Sequence, residues 1–170
     1  MFTARFQVVY LVVTIGLFAI VARLSRARAR RVAGALAAAL VFTALSAPLD
    51  DFGIAAGWWS YPTCAGPPHP PIAVYLGQAL EFVGSIALGG WRVQRRFGAR
   101  GVAWLFAIVC AVGPVRDFAA AAALPRLIRF GALPASLFAD AAAWAVVVAV
   151  ALIVSRIVAG RADRDALRPI

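Results

Sequence analysis

Long apolar runs, separated by short polar or arginine-rich stretches, dominate the pattern of this chain. Each run is close to the roughly 20 residues that a helix needs to cross a bilayer. We therefore predict an all-α fold, an integral membrane bundle of five transmembrane helices in a single domain over residues 1–170. The predicted helices lie at about 6–22, 32–48, 71–91, 101–121 and 135–157, with one long outer loop at 49–70.

Composition supports the membrane class, because 64% of the residues are hydrophobic and only 14% are charged. The net charge of +10 would suggest a nucleic-acid partner in a soluble protein. Here the basic residues fall between the apolar runs, where they orient a membrane protein, so no nucleic-acid partner is predicted. All 17 basic residues are arginine, a bias that hints at a high-GC bacterial genome and hence at the bacterial inner membrane.

The arginines are distributed unequally between alternate connections. Five follow the first predicted helix, four follow the third and four lie in the tail, whereas the opposite side holds four in all. Loops rich in arginine stay in the cytoplasm. We therefore predict an N-terminus outside, a C-terminus in the cytoplasm, and the 49–70 loop on the outer face.

Metal and cofactor signatures are weak in this sequence. The two cysteines, Cys64 and Cys110, fall at different predicted depths, and the single histidine is His69. No Cys/His spacing typical of a zinc site is present. We predict no metal and no cofactor.

Glu81 is the most informative single residue, because it lies near the middle of an otherwise uncharged apolar run. An ionisable residue at membrane depth usually faces a partner or a cavity and marks a functional site. Helical spacing places Gln78 and Glu81 on one face, with Tyr75 near the outer end. The alternative is that Glu81 is a bundle contact, for example an ion pair with Arg116.

The remaining acidic residues of the apolar region are predicted in its outer half. Asp50 and Asp51 follow the second helix, Asp117 follows Arg116 near the end of the fourth, and Asp140 lies about one turn into the fifth. One polar cavity beneath the outer loop would collect them. Each also has a structural alternative: an acid near a helix start is favoured by the dipole, and an exposed arginine and aspartate commonly pair at the surface.

The outer loop is rich in proline and in aromatic residues, among them Trp58, Trp59 and Tyr61. Such residues are interfacial anchors, or walls of a ligand site. The stretch 50–61, followed by a later helix that carries Leu80-Glu81-Phe82, resembles the small membrane-bound lycopene cyclases of the bacterial heterodimeric type and their carotenoid-biosynthesis relatives. The stretches 113–117 and 156–160 resemble uncharacterised bacterial membrane proteins.

The resemblance implies protonation of a polyene and guidance of a carbocation to a ring, without net redox change, and it implies roles for Glu81, Asp51 and Trp59. In this hypothesis an isoprenoid or similar apolar lipid enters from the outer leaflet and Glu81 is the general acid. Carboxylates at Asp50, Asp51 and Asp140 stabilise charge or take the proton back. The predicted binding residues are Trp58, Trp59, Tyr61, Tyr75, Gln78, Phe82, Arg116 and Asp117.

Two other functions stay open on the sequence alone. The first is a non-enzymatic membrane subunit that binds a partner protein, a second copy of the chain, a pigment or a lipid, with the polar residues joining helices. The second is a conducting protein, for which a single intramembrane glutamate is the only support.

Overall fold

The computed structural model describes residues 2–64 and 68–161, and these are mostly helical. A π-helical turn, Ala79–Gly84, joins α3 to α4, and two short strands, β1 (Trp59–Ser60) and β2 (Arg129–Phe130), pair in antiparallel fashion. The α-helices are α1 (Ala4–Leu24), α2 (Ala29–Ala55), α3 (Ile72–Gln78), α4 (Ser85–Ala123) and α5 (Ala135–Ala159).

Four helical stretches of the described residues are long and apolar enough to cross a membrane. They are α1, α2, the continuous stretch Ile72–Ala123, and α5. The all-α fold and the membrane class predicted from the sequence are therefore supported. The third and fourth predicted helices, however, form one stretch of 52 residues, because the arginine-rich segment between them is helical rather than a loop.

This long stretch folds back on itself at Gly98, whose backbone angles (φ 62°, ψ −151°) are not helical. A Cβ added to Gly90 would lie 3.3 Å from Leu105 Cδ2. In a straight helix those residues would be about 22 Å apart along the axis. The guanidinium of Arg116 likewise lies 4.3 Å from the ring centroid of Phe82. The two arms of the stretch are therefore antiparallel neighbours, and a positive φ at the reversal favours glycine.

Helix α2 is longer than predicted, because it continues through Pro48 to Ala55. A proline removes one intrahelical hydrogen bond, and a helix packed against its neighbours resumes after it. Asp50 and Asp51 therefore lie in the last turns of α2 rather than in the outer loop. Asp50 is partly buried, whereas Asp51 is exposed.

The core is formed where α2 and α4 pack on α5. Alanines at 35, 38 and 39 are fully buried, as are Val148 and Ala151 of α5. Small residues let helix backbones approach closely. Helix α1 is peripheral, with only Thr14 and Phe18 buried, so most of its apolar side chains are exposed, as expected for a surface that faces lipid.

The bundle has two distinct ends. At the ribbon end, Trp59 pairs with Phe130, and the Gly131 amide donates a hydrogen bond of 2.8 Å to the Trp58 carbonyl. At the opposite, arginine end, Arg31 donates to the carbonyl of Gly160 at 2.7 Å. Which end faces the cytoplasm stays a prediction.

Candidate functional site

An aromatic cavity of about 380 Å³ lies at the ribbon end, between the helices and beneath the β1–β2 ribbon. Its polar wall contains Asp50, Gln78, Arg116, Asp117 and Asp140. The aromatic residues that line it include Tyr10, Phe42, Trp59, Tyr61, Phe82 and Trp144. Three carboxylates from three different helices thus share one mainly apolar space.

Asp50 is held by hydrogen bonds from two other elements. The indole nitrogen of Trp59 donates to Oδ1 at 3.0 Å, and the Tyr75 hydroxyl donates to Oδ2. The Trp59 ring lies directly against Gly53, where an added Cβ would be 2.1 Å from ring atom Cζ2. Glycine at 53 is therefore needed for this close approach, and Asp50 fastens both β1 and α3 to the end of α2.

Tyr61 follows β1 and belongs to the same corner of the cavity. Burial, and then the negative charge of Asp50 and its hydrogen bonding, hold the pKa of the Tyr61 hydroxyl well above its ordinary value. The phenol therefore keeps its proton and can donate it in a hydrogen bond. Burial is also the main reason that the pKa of the nearby Cys64 thiol is raised.

A second cluster joins the far arm of α4 to α5. Arg116 Nη1 lies 2.6 Å from Asp117 Oδ1, and Trp144 Nε1 donates to Asp117 Oδ2 at 2.8 Å. Gly113 makes room for the indole, because an added Cβ there would lie 2.4 Å from the Trp144 ring. The Phe82 ring packs edge-on against Trp144, with centroids 5.3 Å apart. Asp117 is thus a paired and hydrogen-bonded carboxylate.

Asp140 differs from both of these carboxylates. Its residue is only 7% exposed, and its Oδ2 is buried without a hydrogen-bond partner among the residues described. It lies one helical turn before Trp144 on the same face of α5. Buried side-chain oxygens nearly always have a partner, so an oxygen without one in the wall of a cavity points to a ligand or a chemical role.

Glu81 occupies a different position from the one predicted. Its Oε2 accepts a hydrogen bond of 3.3 Å from the Tyr10 hydroxyl, and it is not among the residues that line the aromatic cavity. Gly77 allows Tyr10 to approach, since an added Cβ there would be 2.6 Å from the Tyr10 ring. Glu81 is therefore a contact between α1 and the π-helical turn, and the ion pair of Arg116 is made with Asp117 instead.

Three other predicted residues, Asp51, Trp58 and Tyr75, do not line the aromatic cavity. Asp51 is exposed and does not line it. Trp58 and Tyr75 line a neighbouring cavity of about 330 Å³, which also contacts Asp50 and Gln78. The polar residues of the two cavities therefore overlap at the end of α2 and the end of α3.

Several residues of the site were missed in the sequence. Trp144 has a signal that sequence reasoning can detect, because it lies four residues after Asp140 and shares its helix face. Tyr10 is another polar aromatic within an apolar run. Phe130 has no local signal, because only the pairing of β1 with β2 brings it to the cavity.

Fold and cavity together define a helical protein of the membrane class, with an acidic, aromatic-walled cavity at one end. Within the described ranges, no group of three or more His, Cys, Asp or Glu side chains is placed to hold a metal ion. No protein-family model matches the chain, and neither a curated protein nor a solved structure is significantly similar to it.

Proposed function

We propose that this protein binds an isoprenoid or similar apolar lipid in the aromatic cavity and isomerises or cyclises it by acid catalysis. The observation that carries the proposal is Asp140, a buried carboxyl with an unpartnered oxygen in a cavity of mainly aromatic walls. The proposed general acid is thus Asp140 rather than Glu81. Ligand pockets of this kind combine apolar walls with a few polar groups that supply the chemistry.

The proposed reaction begins when Asp140 transfers its carboxyl proton to one carbon of a carbon–carbon double bond. The O–H bond breaks, a C–H bond forms, and the neighbouring carbon becomes cationic. Attack by a second double bond closes a ring and moves the cation. Loss of a proton from an adjacent carbon to the Asp140 carboxylate restores the acid and a double bond. No electrons are gained or lost overall, so no redox cofactor is required.

The surroundings of Asp140 suit a cationic intermediate. The faces of aromatic rings attract cations, and Trp59 and Trp144 contribute such rings to the wall of the cavity. Asp117 lies in the same wall, where it accepts a hydrogen bond from Trp144 and pairs with Arg116. The role proposed for Asp117 is therefore to hold Trp144 and Arg116 in the cavity wall, while Asp140 transfers the proton.

The same proposal includes an arrangement in the membrane. The two arms of Ile72–Ala123 on either side of Gly98 cross separately, which makes five spans, and the ribbon end faces outward in a bacterial inner membrane. Support comes from the reversal at Gly98 and from the excess of arginine at the opposite end. Cysteine accessibility from each side of the membrane, measured at an introduced Arg126→Cys and Arg100→Cys, tests this arrangement.

The test of activity is expression of the chain in a carotenoid- or polyprenyl-producing bacterium, followed by lipid mass spectrometry with and without the protein. We expect a new isomer or cyclised product of unchanged mass. Asp140→Asn should remove that product while the protein stays in the membrane at the normal level. Asp51→Asn, which changes an exposed carboxylate outside the cavity, is the matched comparison and should retain the product.

Two outcomes would contradict the assignment of Asp140 as the acid. If Asp140→Asn keeps the full product, then Asp140 is not the acid. If Glu81→Gln removes the product while membrane level and thermal stability are unchanged, the proton donor predicted from the sequence is the better assignment.

A non-enzymatic subunit is the second candidate, and the interhelical hydrogen bonds favour it. Tyr10–Glu81, Trp59–Asp50 and Trp144–Asp117 each join two elements, so most polar residues have a structural use. Such a protein would bind a lipid, a pigment, a partner protein or a second copy of itself without chemical change. Copurification of an unmodified apolar molecule, with no product in the expression test, supports this function instead.

A further inference from the structure

A groove of about 270 Å³ lies at the arginine end, between α2, α4 and α5. Its polar wall consists of Arg31, Trp91, Gln94, Ser155 and Arg156. We propose that this groove binds the phosphate headgroup of an anionic phospholipid. The proposal is independent of the function assigned to the aromatic cavity at the other end.

Arg31 provides a cation that is fixed in the groove wall. It is only 5% exposed, and its guanidinium donates to the carbonyls of Gly160 at 2.7 Å and Arg161 at 2.5 Å. Those contacts join the start of α2 to the end of α5 and orient the planar group. A phosphate is well suited to a guanidinium held in a defined direction, because the hydrogen bonds between them are charge-assisted.

Trp91 contributes a buried hydrogen-bond donor to the same groove. It is also only 5% exposed, and its Nε1 is buried with no acceptor in the part of the chain that the structure describes. The guanidinium carbons of Arg31 and Arg95 lie 5.6 and 5.7 Å from its ring centroid. Buried hydrogen-bond donors rarely lack an acceptor. An anionic oxygen that reaches the indole nitrogen would supply the acceptor.

The apolar side of the groove selects a lipid rather than a soluble phosphate. Val102, Leu152 and Ile153 line it together with the polar residues, and Ile153 is 58% exposed. When the headgroup of a lipid is bound beside Arg156, its acyl chains can therefore lie along α5. Basic pockets between membrane helices commonly recognise anionic headgroups in this way.

The experiment uses the purified full-length protein, exposed to equal amounts of phosphatidylglycerol and phosphatidylcholine and examined by native mass spectrometry. We expect preferential retention of phosphatidylglycerol. Arg156→Gln and Trp91→Phe should each lower that retention, Arg156→Gln by about tenfold for the loss of a charge-assisted contact. Matched controls are Arg126→Gln at the ribbon end and Trp104→Phe on an exposed ring, which should retain the lipid as the unchanged protein does.

Three results would overturn the proposal. The first is equal retention of the two lipids by the unchanged protein, and the second is unchanged retention in Arg156→Gln. The third is displacement of the lipid by inorganic phosphate at low millimolar concentration, which would assign the groove to a soluble phosphate compound. Arg156 is exposed at the end of α5, so Arg156→Gln should fold even if Trp91→Phe does not, and it decides the question alone in that case.

Discussion

Asp50 and Asp140 line the same cavity but have opposite surroundings. Asp50 accepts hydrogen bonds from Trp59 and Tyr75 and joins three elements, whereas Asp140 has a buried oxygen without a partner. A carboxylate with its donors in place stabilises the fold, and one without them is costly to bury. We infer that the number of donors around an acid, rather than its depth in the bundle, distinguishes the structural Asp50 from the proposed acid Asp140.

The largest expected effect is on chemistry at Asp140. Replacing it in Asp140→Asn keeps the shape but removes the transferable proton, so product formation should fall on the order of 10²–10⁴-fold. The measurement is the rate of product accumulation by lipid mass spectrometry, with the unfolding temperature as a control for folding. A larger loss in Asp50→Asn than in Asp140→Asn would reverse the comparison.

A smaller but still large effect is expected on stability at Asp50. In Asp50→Ala the donors of Trp59 and Tyr75 lose their acceptor, which should lower the free energy of unfolding by about 2–4 kcal/mol. Asp140→Ala removes an acid with an unmet oxygen and should change the same quantity by less than about 1 kcal/mol. Denaturation in detergent measures both variants. Equal losses would show that Asp140 has a stabilising partner after all.

The next effect concerns the wall that supports Asp117. In Gly113→Ala the new methyl group would lie 2.4 Å from the Trp144 ring, so the indole must move and the free energy of unfolding should fall by about 1–3 kcal/mol. Gly89→Ala is the matched control, because an added Cβ there meets nothing within 4 Å. Tryptophan fluorescence and thermal unfolding report the two changes, and equal results for both glycines would contradict the packing described.

The smallest effect is expected at the contact of Glu81. Tyr10→Phe removes one hydrogen bond of 3.3 Å and should lower the free energy of unfolding by about 0.5–1.5 kcal/mol. Glu81→Gln keeps a carbonyl acceptor for Tyr10 and should cost less than that. If Glu81→Gln proves the more harmful variant in unfolding experiments, the glutamate has a partner beyond Tyr10.

Much of the fold could be predicted because apolar runs of membrane length are hard to mistake. The last helix was predicted at about 135–157 and is observed at Ala135–Ala159. The segment 92–100 was expected to be a loop, but arginine is a good helix former, and Gly98 alone provides the reversal. The arginines of this segment correctly indicated an end of the bundle, but they did not indicate that the backbone there is helical.

The candidate site was only partly predictable, for a reason that lies in the π-helical turn. Gln78 and Glu81 share a face in a regular α-helix, yet Gln78 lines the aromatic cavity while Glu81 contacts Tyr10. An i→i+5 turn widens the helix locally and rotates the following side chains, and no residue pattern reveals it. The gathering of Asp50, Asp117 and Asp140 followed from topology, because their helices meet at the same end.

The contact between the two connections at the ribbon end has an evolutionary consequence. A Cβ added to Gly131 would lie 2.1 Å from the Gly57 carbonyl oxygen, and Gly57 itself has a φ of 72°. A larger residue at position 131 requires the turn before β1 to move, although the two positions are far apart in the sequence. Positions 57 and 131 should therefore both remain glycine among descendants of this chain, and an insertion in either turn should be accepted only with a matching change in the other.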